Sequence, residues 1–237
     1  MRTSWTATGN VLPVAGEDVV VEAGWNMIYD LEGDSPIFQI VTINGRLSFK
    51  QESGFTAAQN LRCKQLFIRA GELLIGSEAT PFATKATITL FGEYAERSTA
   101  YSSSIYAGNK LIANLGKVHL YGTVPSNEIV RLLAPAAIAA TTITVDTGLT
   151  WVAGDNIFLA ATSYKRDASD YATISAYDSV TGVITLTAGL THYHFGKATT
   201  TAADYNNAFD IRGEVVLLTR NVRIVGDNTD LNGDWGG

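Results

Sequence analysis

Long hydrophobic runs and clustered cations are both missing from this 237-residue chain. No run approaches the ~20 apolar residues that a membrane-spanning helix needs, so direct membrane insertion of this segment is not expected. The 17 Lys and Arg are outnumbered by 23 Asp and Glu, which gives a formal net charge of −6. A nucleic-acid surface needs clustered cations to displace counterions from phosphate, so we expect no nucleic-acid partner.

Cysteine is nearly absent, and several sequence signatures are missing altogether. Cys63 stands alone, which excludes an internal disulfide and a cysteine-rich zinc site. The chain has no Gly-x-Ser-x-Gly nucleophile elbow and no glycine-rich phosphate loop. Neither a signal peptide at the start nor an Asn-x-Ser/Thr acceptor is present, so targeting signals do not indicate a compartment.

Short β-rich runs with glycine corners recur through the first half of the chain. Gly24, Gly45, Gly71, Gly92 and Gly116 follow one another at steps of 21, 26, 21 and 24 residues. Periods of this size are typical of solenoids, whose units bury an apolar face only against the next unit. The sequence therefore predicts an all-β fold, a right-handed parallel β-helix.

The spacing of the predicted strands changes after about residue 140. Strands become more closely spaced, and the turn Asp178–Gly182 predicts an antiparallel hairpin. We expect one domain over residues 1–237, with a coil over about 5–125 and 212–226 and a small antiparallel β-subdomain over about 141–211. One or two short helices are predicted, at Phe55–Leu61 and Glu128–Ala134. The abrupt ends suggest a fragment of a larger protein.

The segment Arg212–Gly226 combines β-branched residues with ionisable ones and is expected to close the fold as two strands meeting at Arg220 and Asn221. Val216, Leu218, Val222 and Ile224 can then face a core.

These motifs together resemble the eight-glycine domain, which occurs in fibrocystin-like proteins and in cell-surface hyaluronan-binding and hyaluronan-degrading proteins. The similarity runs from Trp5 to Gly226. It is carried by Trp5, Pro13-x-x-Gly16, Asp18–Glu22 with Gly24, Gly45–Phe49, Gly71–Gly76, Gly116–Gly122, Trp151-Val152-x-Gly154-Asp155 and Glu214-Val215-x-x-Leu218-Thr219-Arg220-Asn221.

The resemblance implies an extracellular or cell-surface module followed by further β-helix repeats of the parent chain. Some relatives resemble hyaluronan depolymerases, whereas the fibrocystin branch resembles cell-surface or ciliary receptors without catalysis. We favour a non-catalytic structural and binding module whose partner is an extracellular polysaccharide or protein. The alternative is a glycosaminoglycan hydrolase acting on hyaluronan.

The candidate site lies in a polar, aromatic-rich region of the second half. Glycoside hydrolysis needs two carboxylates, about 5 Å apart for retention or 6.5–9.5 Å for inversion. Asp170 and Glu214, with His194, are the catalytic candidates if the chain is an enzyme. The ligand-binding candidates are Tyr164, Asp167, Asp170, Tyr171, His192, His194 and Arg212. The competing interpretation is a solvated loop, with Glu214 paired to Arg212 or Arg220.

The hydrolase-like relatives usually carry Thr-Asp-aromatic followed by Ala-Glu at this place. The matching positions here are Thr162-Ser163-Tyr164 and Ser169-Asp170. Asp170 keeps a carboxylate in place of the glutamate. Ser163 cannot act as a general acid or base near neutral pH, which counts against catalysis.

The two histidines allow two interpretations. His192 and His194 stand at i and i+2 on one strand face, so they either hold a metal with nearby carboxylates or make hydrogen bonds at a sheet edge. The second interpretation is favoured. Asp155 is expected to fix a turn rather than to bind calcium, because no dense Asp/Asn loop surrounds it. We expect no cofactor, although calcium stays open.

Overall fold

The computed structural model describes residues 2–4, 11–52, 55–93, 99–104, 106–198 and 210–227. Trp5 lies outside the described residues. All regular structure within these ranges is β-strand, and the strands follow in chain order. They are β1 (Arg2–Ser4), β2 (Val19–Val21), β3 (Asn26–Tyr29), β4 (Gly33–Asp34), β5 (Phe38–Ile43), β6 (Arg46–Phe49), β7 (Gln59–Ile68), β8 (Glu72–Ile75), β9 (Ala86–Leu90), β10 (Thr99–Ala100), β11 (Tyr106–Ala107), β12 (Leu111–Asn114), β13 (Lys117–Leu120), β14 (Ile129–Arg131), β15 (Thr142–Thr144), β16 (Asn156–Leu159), β17 (Asp170–Asp178), β18 (Val183–Leu186), β19 (Glu214–Leu217) and β20 (Val222–Gly226).

The chain divides into two compact units, Met1–Thr123 with Arg220–Gly237, and Val124–Thr219. The first unit contains a five-stranded parallel sheet in the order β1-β3-β6-β8-β13. Its second parallel sheet has the order β2-β5-β7-β9-β20, with β4 and β12 also on β7. Strands β10 and β11 form a separate antiparallel pair.

The predicted right-handed parallel β-helix with short helices is wrong. The ten-residue strand β7 does not pair along its whole length with one later strand. Its first half pairs with β9 and its second half with β12, so strands do not stack one per coil. Both predicted helices are also wrong. The first is replaced by the start of β7, where buried and half-buried side chains alternate, and the second by β14.

The glycine spacing has a direct structural counterpart in the first unit. Gly45, Gly71 and Gly116 each precede a strand of the five-stranded sheet and lie above one another. A Cβ on Gly45 would lie 2.6 Å from the carbonyl oxygen of Trp25, and a Cβ on Gly71 would collide with the carbonyl oxygen of Gly45. None of the three has a positive φ. Close backbone approach, rather than left-handed backbone conformation, therefore requires glycine here.

The core of the first unit consists of side chains that alternate inward along these strands. Tyr29, Phe38, Leu61, Leu73 and Phe82 are completely buried. Burial of a large apolar side chain contributes roughly 1.5–3 kcal/mol, so this cluster is the main stabilising element of the unit.

The second unit holds a six-stranded antiparallel sheet in the order β14-β19-β16-β17-β18-β15. The predicted hairpin is confirmed, since Asp178 pairs with Val183 and Gly182 has a φ of 73°. The predicted phase of β19 is wrong, because Val215 and Leu217 are buried instead of Val216 and Leu218. In β20, Val222 packs against the core of the first unit, whereas Ile224 is exposed, so its predicted burial is wrong. Among the described residues, no helix is long and apolar enough to cross a membrane.

Candidate functional site

Asp170 is the first residue of β17 and faces the interior of the second unit. Its cross-strand partner is Leu159 of β16, and Leu159 pairs on its other side with Val215 of β19. Directly paired residues point to the same face of a sheet, and all three side chains are buried. An aspartate in this position needs hydrogen-bond partners, because burying an unpaired charge is very costly.

A single segment after β18 supplies all of these partners. The backbone N–H of Thr191 donates to Oδ1 of Asp170 at 2.9 Å, and the Thr191 hydroxyl donates to the same oxygen. The backbone N–H of His192 donates to Oδ2 at 3.0 Å, and Nε2 of His194 lies 2.8 Å from Oδ2. A carboxylate offers about four lone-pair positions, so Asp170 is fully occupied as an acceptor.

These hydrogen bonds determine the pKa of Asp170. Burial by itself raises the pKa, because it disfavours the charged form. The hydrogen bonds from Thr191, His194 and the backbone of His192 outweigh burial and hold the pKa at about 2. Asp170 is therefore ionised at neutral pH and is a weak base.

His194 is completely buried and contacts an acceptor at each ring nitrogen. Its Nδ1 lies 3.0 Å from the carbonyl oxygen of Ala160, which can only accept a hydrogen bond. Its Nε2 faces the ionised carboxylate of Asp170, which also can only accept. The ring therefore links the carboxylate of Asp170 to the backbone carbonyl of Ala160, and it joins β17 to the segment containing residues 191–194.

Glu214 lies on the opposite face of the same sheet from Asp170. It precedes the buried Val215, and successive side chains of a strand point to opposite faces. Its Oε1 is 2.8 Å from Nη2 of Arg131, its cross-strand neighbour on β14. The sheet therefore separates the side chains of the two catalytic candidates, Asp170 and Glu214, which do not form the carboxylate pair that glycoside hydrolysis needs.

Arg212 is directed toward Asp210 rather than toward Asp170. Its guanidinium binds the Asp210 carboxylate with Nη2 at 2.7 Å and Nε at 3.0 Å. The hydrogen bond from Arg212 holds the pKa of Asp210 at about 2. The Arg212 backbone carbonyl also accepts a hydrogen bond from Arg131, at 2.8 Å. Arg131 thus contacts both acidic groups near it, Asp210 and Glu214.

The aromatic candidates lie on the surface of this unit. Tyr164 and Asp167 are exposed in the loop before β17. Tyr171 follows Asp170 and therefore points to the outer face, where its ring lies 5.0 Å from that of Phe158. Of the predicted site residues, only Asp170, His192 and His194 come together. The His192 ring is part-exposed, with Nδ1 3.6 Å from Oδ2 of Asp170.

The remaining polar candidates have local structural roles. The Ser163 hydroxyl accepts a hydrogen bond from the backbone N–H of Lys165, within an exposed turn. The carboxylate of Asp155 accepts from the backbone N–H of Val152 at 2.9 Å, which confirms its predicted role in a turn. In the part of the chain that the structure describes, no group of three or more His, Cys, Asp or Glu has a geometry that could hold a metal ion.

Sequence reasoning missed the residues that complete both clusters. Thr191 supplies two of the four donors to Asp170, and Arg131 and Asp210 hold Glu214 and Arg212. A threonine directly before the alternating histidines was the only local signal for the first cluster. In the second cluster, Arg131 lies about 80 residues before its partners, whereas Asp210 stands two residues before Arg212.

Comparisons with known proteins indicate one family. The family model described as G8 domain matches residues 4–133. Fibrocystin-L of Mus musculus is 34% identical over 235 residues, and fibrocystin-L of Homo sapiens is 32% identical over 228 residues. Fibrocystin of Mus musculus is 27% identical over 231 residues. These matches cover 98%, 94% and 97% of this chain but only 5% of each of the three relatives.

Proposed function

Because this chain belongs to the G8 domain family, we propose that it is a non-catalytic structural and binding module of a fibrocystin-like protein, placed outside the cell or at the cell surface. Its ligand in this proposal is an extracellular polysaccharide or protein, and further β-structure of the parent protein is its covalent neighbour. No cofactor is part of the proposal.

The state of Asp170 is the observation that carries the non-catalytic part. A general base or nucleophile needs a free lone pair directed at the substrate, whereas all four positions of this carboxylate are occupied by neighbouring donors. Its pKa of about 2 makes it a poor proton acceptor at neutral pH. The cluster is suited to holding a loop against a sheet.

The arrangement of the other candidates supports the same proposal. Glu214 lies on the outer face and is paired with Arg131, so it does not stand beside Asp170 as a second acid. Ser163 occupies the position at which hydrolase-like relatives carry an acid, and its hydroxyl accepts a hydrogen bond within a turn.

Incubation with high-molecular-weight hyaluronan tests catalysis. We expect no change in polymer size with the chain or with its full-length parent, in calcium or in a chelator. Depolymerisation that Glu214→Gln abolishes would contradict the proposal, and this variant is preferable to a change at Asp170 because Glu214 is not in the core. Antibody labelling of the tagged parent on unpermeabilised cells tests the location. Labelling only after permeabilisation would contradict an extracellular module.

A further inference from the structure

A groove on the first unit runs along the glycine column. It has a volume of about 600 Å³, is open to solvent, and is floored by Gly45, Gly71 and Gly116. These glycines are stacked closely on one another, and they line the groove with backbone atoms alone. The groove crosses β3, β6, β8 and β13, and three strand spacings give it a length of roughly 14 Å.

One aromatic side chain stands at the end of this floor. Asn26 pairs with Arg46, so the preceding residues, Trp25 and Gly45, occupy equivalent positions on β3 and β6. Trp25 is thus the one member of the column with a large side chain, and it is 50% exposed. A half-exposed indole is a flat apolar surface with a polar edge, which suits the face of a sugar ring.

A row of polar side chains lines the groove beside the glycines. Asn26, Arg46, Glu72 and Lys117 are the first residues of the four strands and are neighbours across the sheet. Nη2 of Arg46 lies 2.7 Å from Oε2 of Glu72. This pair largely cancels its own charge, and Lys117 and Asn26 add further hydrogen-bonding groups to the lining, a combination that matches hydroxyl groups rather than a polyanion.

We propose that this groove binds a neutral linear oligosaccharide, with one sugar ring on Trp25 and the following units over the glycine floor. Hydroxyl groups then exchange hydrogen bonds with Arg46, Glu72 and Lys117. The chain's net charge of −6 disfavours a polyanion, which supports an uncharged ligand. This inference rests on the proposed function as a binding module and names a ligand class and a site for it.

Titration of the 237-residue chain with cellohexaose, chitohexaose, laminarihexaose and mannohexaose tests the proposal, by calorimetry and by tryptophan fluorescence. We expect at least one probe to bind saturably and to change the emission. Trp25→Ala is expected to weaken that binding at least tenfold, whereas Trp25→Tyr keeps most of it because a flat ring remains. Lys117→Ala is expected to weaken it several-fold.

Two control variants separate this site from other surfaces. Lys85 is an exposed lysine of the same unit outside the groove lining, and Tyr164 is a fully exposed tyrosine of the second unit. Lys85→Ala and Tyr164→Ala should leave binding unchanged, and circular dichroism checks that every variant is folded. Saturable binding that Tyr164→Ala removes and Trp25→Ala does not would overturn this site and leave the proposed binding module intact.

Two further outcomes would overturn the ligand class. No binding of any of the four probes would remove the groove proposal, while the absence of hyaluronan cleavage would still support a non-catalytic module. Tighter binding of a hyaluronan octasaccharide than of every neutral probe would show that charge, not ring stacking with hydroxyl recognition, selects the ligand.

Discussion

Replacement of Asp170 by asparagine is the sharpest test of the buried cluster. The variant is nearly isosteric, so it changes charge and hydrogen bonding without creating a large cavity. An amide oxygen can still accept from Thr191, but an amide nitrogen then faces the two donors on the other side, the His192 N–H and Nε2 of His194. His194 keeps no anionic partner within its completely buried site.

The size of the expected loss of stability follows from the pKa of Asp170 and from its hydrogen bonds with His192 and His194. A pKa of about 2, against 3.8 for an ordinary aspartate, corresponds to roughly 2 kcal/mol of stability at neutral pH. A buried donor that loses its charged acceptor costs about 1–3 kcal/mol, and the N–H of His192 is such a donor. We therefore expect Asp170→Asn to lower the free energy of unfolding by about 3 kcal/mol.

Urea unfolding at several pH values measures this effect. Because the folded-state pKa is lowered, the stabilisation is present above the unfolded pKa and is lost as the pH falls from about 4 to about 2. The difference between the wild-type chain and Asp170→Asn should therefore shrink over that range, as other carboxylates titrate equally in both. Asp167→Asn, in the exposed loop, is the matched control. Equal urea midpoints for the wild type and Asp170→Asn at neutral pH would refute the reasoning.

Three further changes test other parts of the fold. Gly71→Ala should lower the free energy of unfolding by more than about 2 kcal/mol, since its Cβ would collide with backbone, whereas Gly108→Ala has open space and should change it little in a urea titration. Burial raises the pKa of the Cys63 thiol to about 12, so a thiol reagent should label it only in denaturing urea; fast labelling of the folded chain would contradict its burial. Gln65→Leu should cost about 2 kcal/mol by thermal unfolding, because its buried amide makes three hydrogen bonds; an unchanged melting temperature would show that they contribute nothing.

The segments with the strongest local signals were predictable from the sequence. Runs of β-branched residues, such as Val19–Val21, became strands, and the turn before Gly182 joined a hairpin, because these features depend on backbone preference and neighbouring residues. The glycine spacing was also readable, since a residue without Cβ at regular intervals indicates repeated close approach. The spacing did not reveal why glycine is required at Gly45, Gly71 and Gly116, which lack a positive φ and are packed against neighbouring backbone.

Tertiary packing alone decided which side chains of β19 face the core and which strands pair with β7, because the local sequence fits each alternative equally well. The run Val215–Leu218 is apolar throughout, so alternation gives it a period but no phase, and only pairing with Leu159 turned Val215 inward. The division of β7 between two partners likewise depends on strands about 25 and 45 residues further along the chain, which no local pattern specifies.

At the candidate site, too, some features follow from the sequence and others only from the tertiary structure. The sequence by itself determined which residue types were available, with two alternating histidines after a hairpin and acids on two strands. The tertiary structure decided that Asp170 meets His194 while Glu214 faces the other way. A shift of one residue along a strand moves a side chain to the opposite face, and that phase is determined by burial across the whole sheet rather than by the residues beside it.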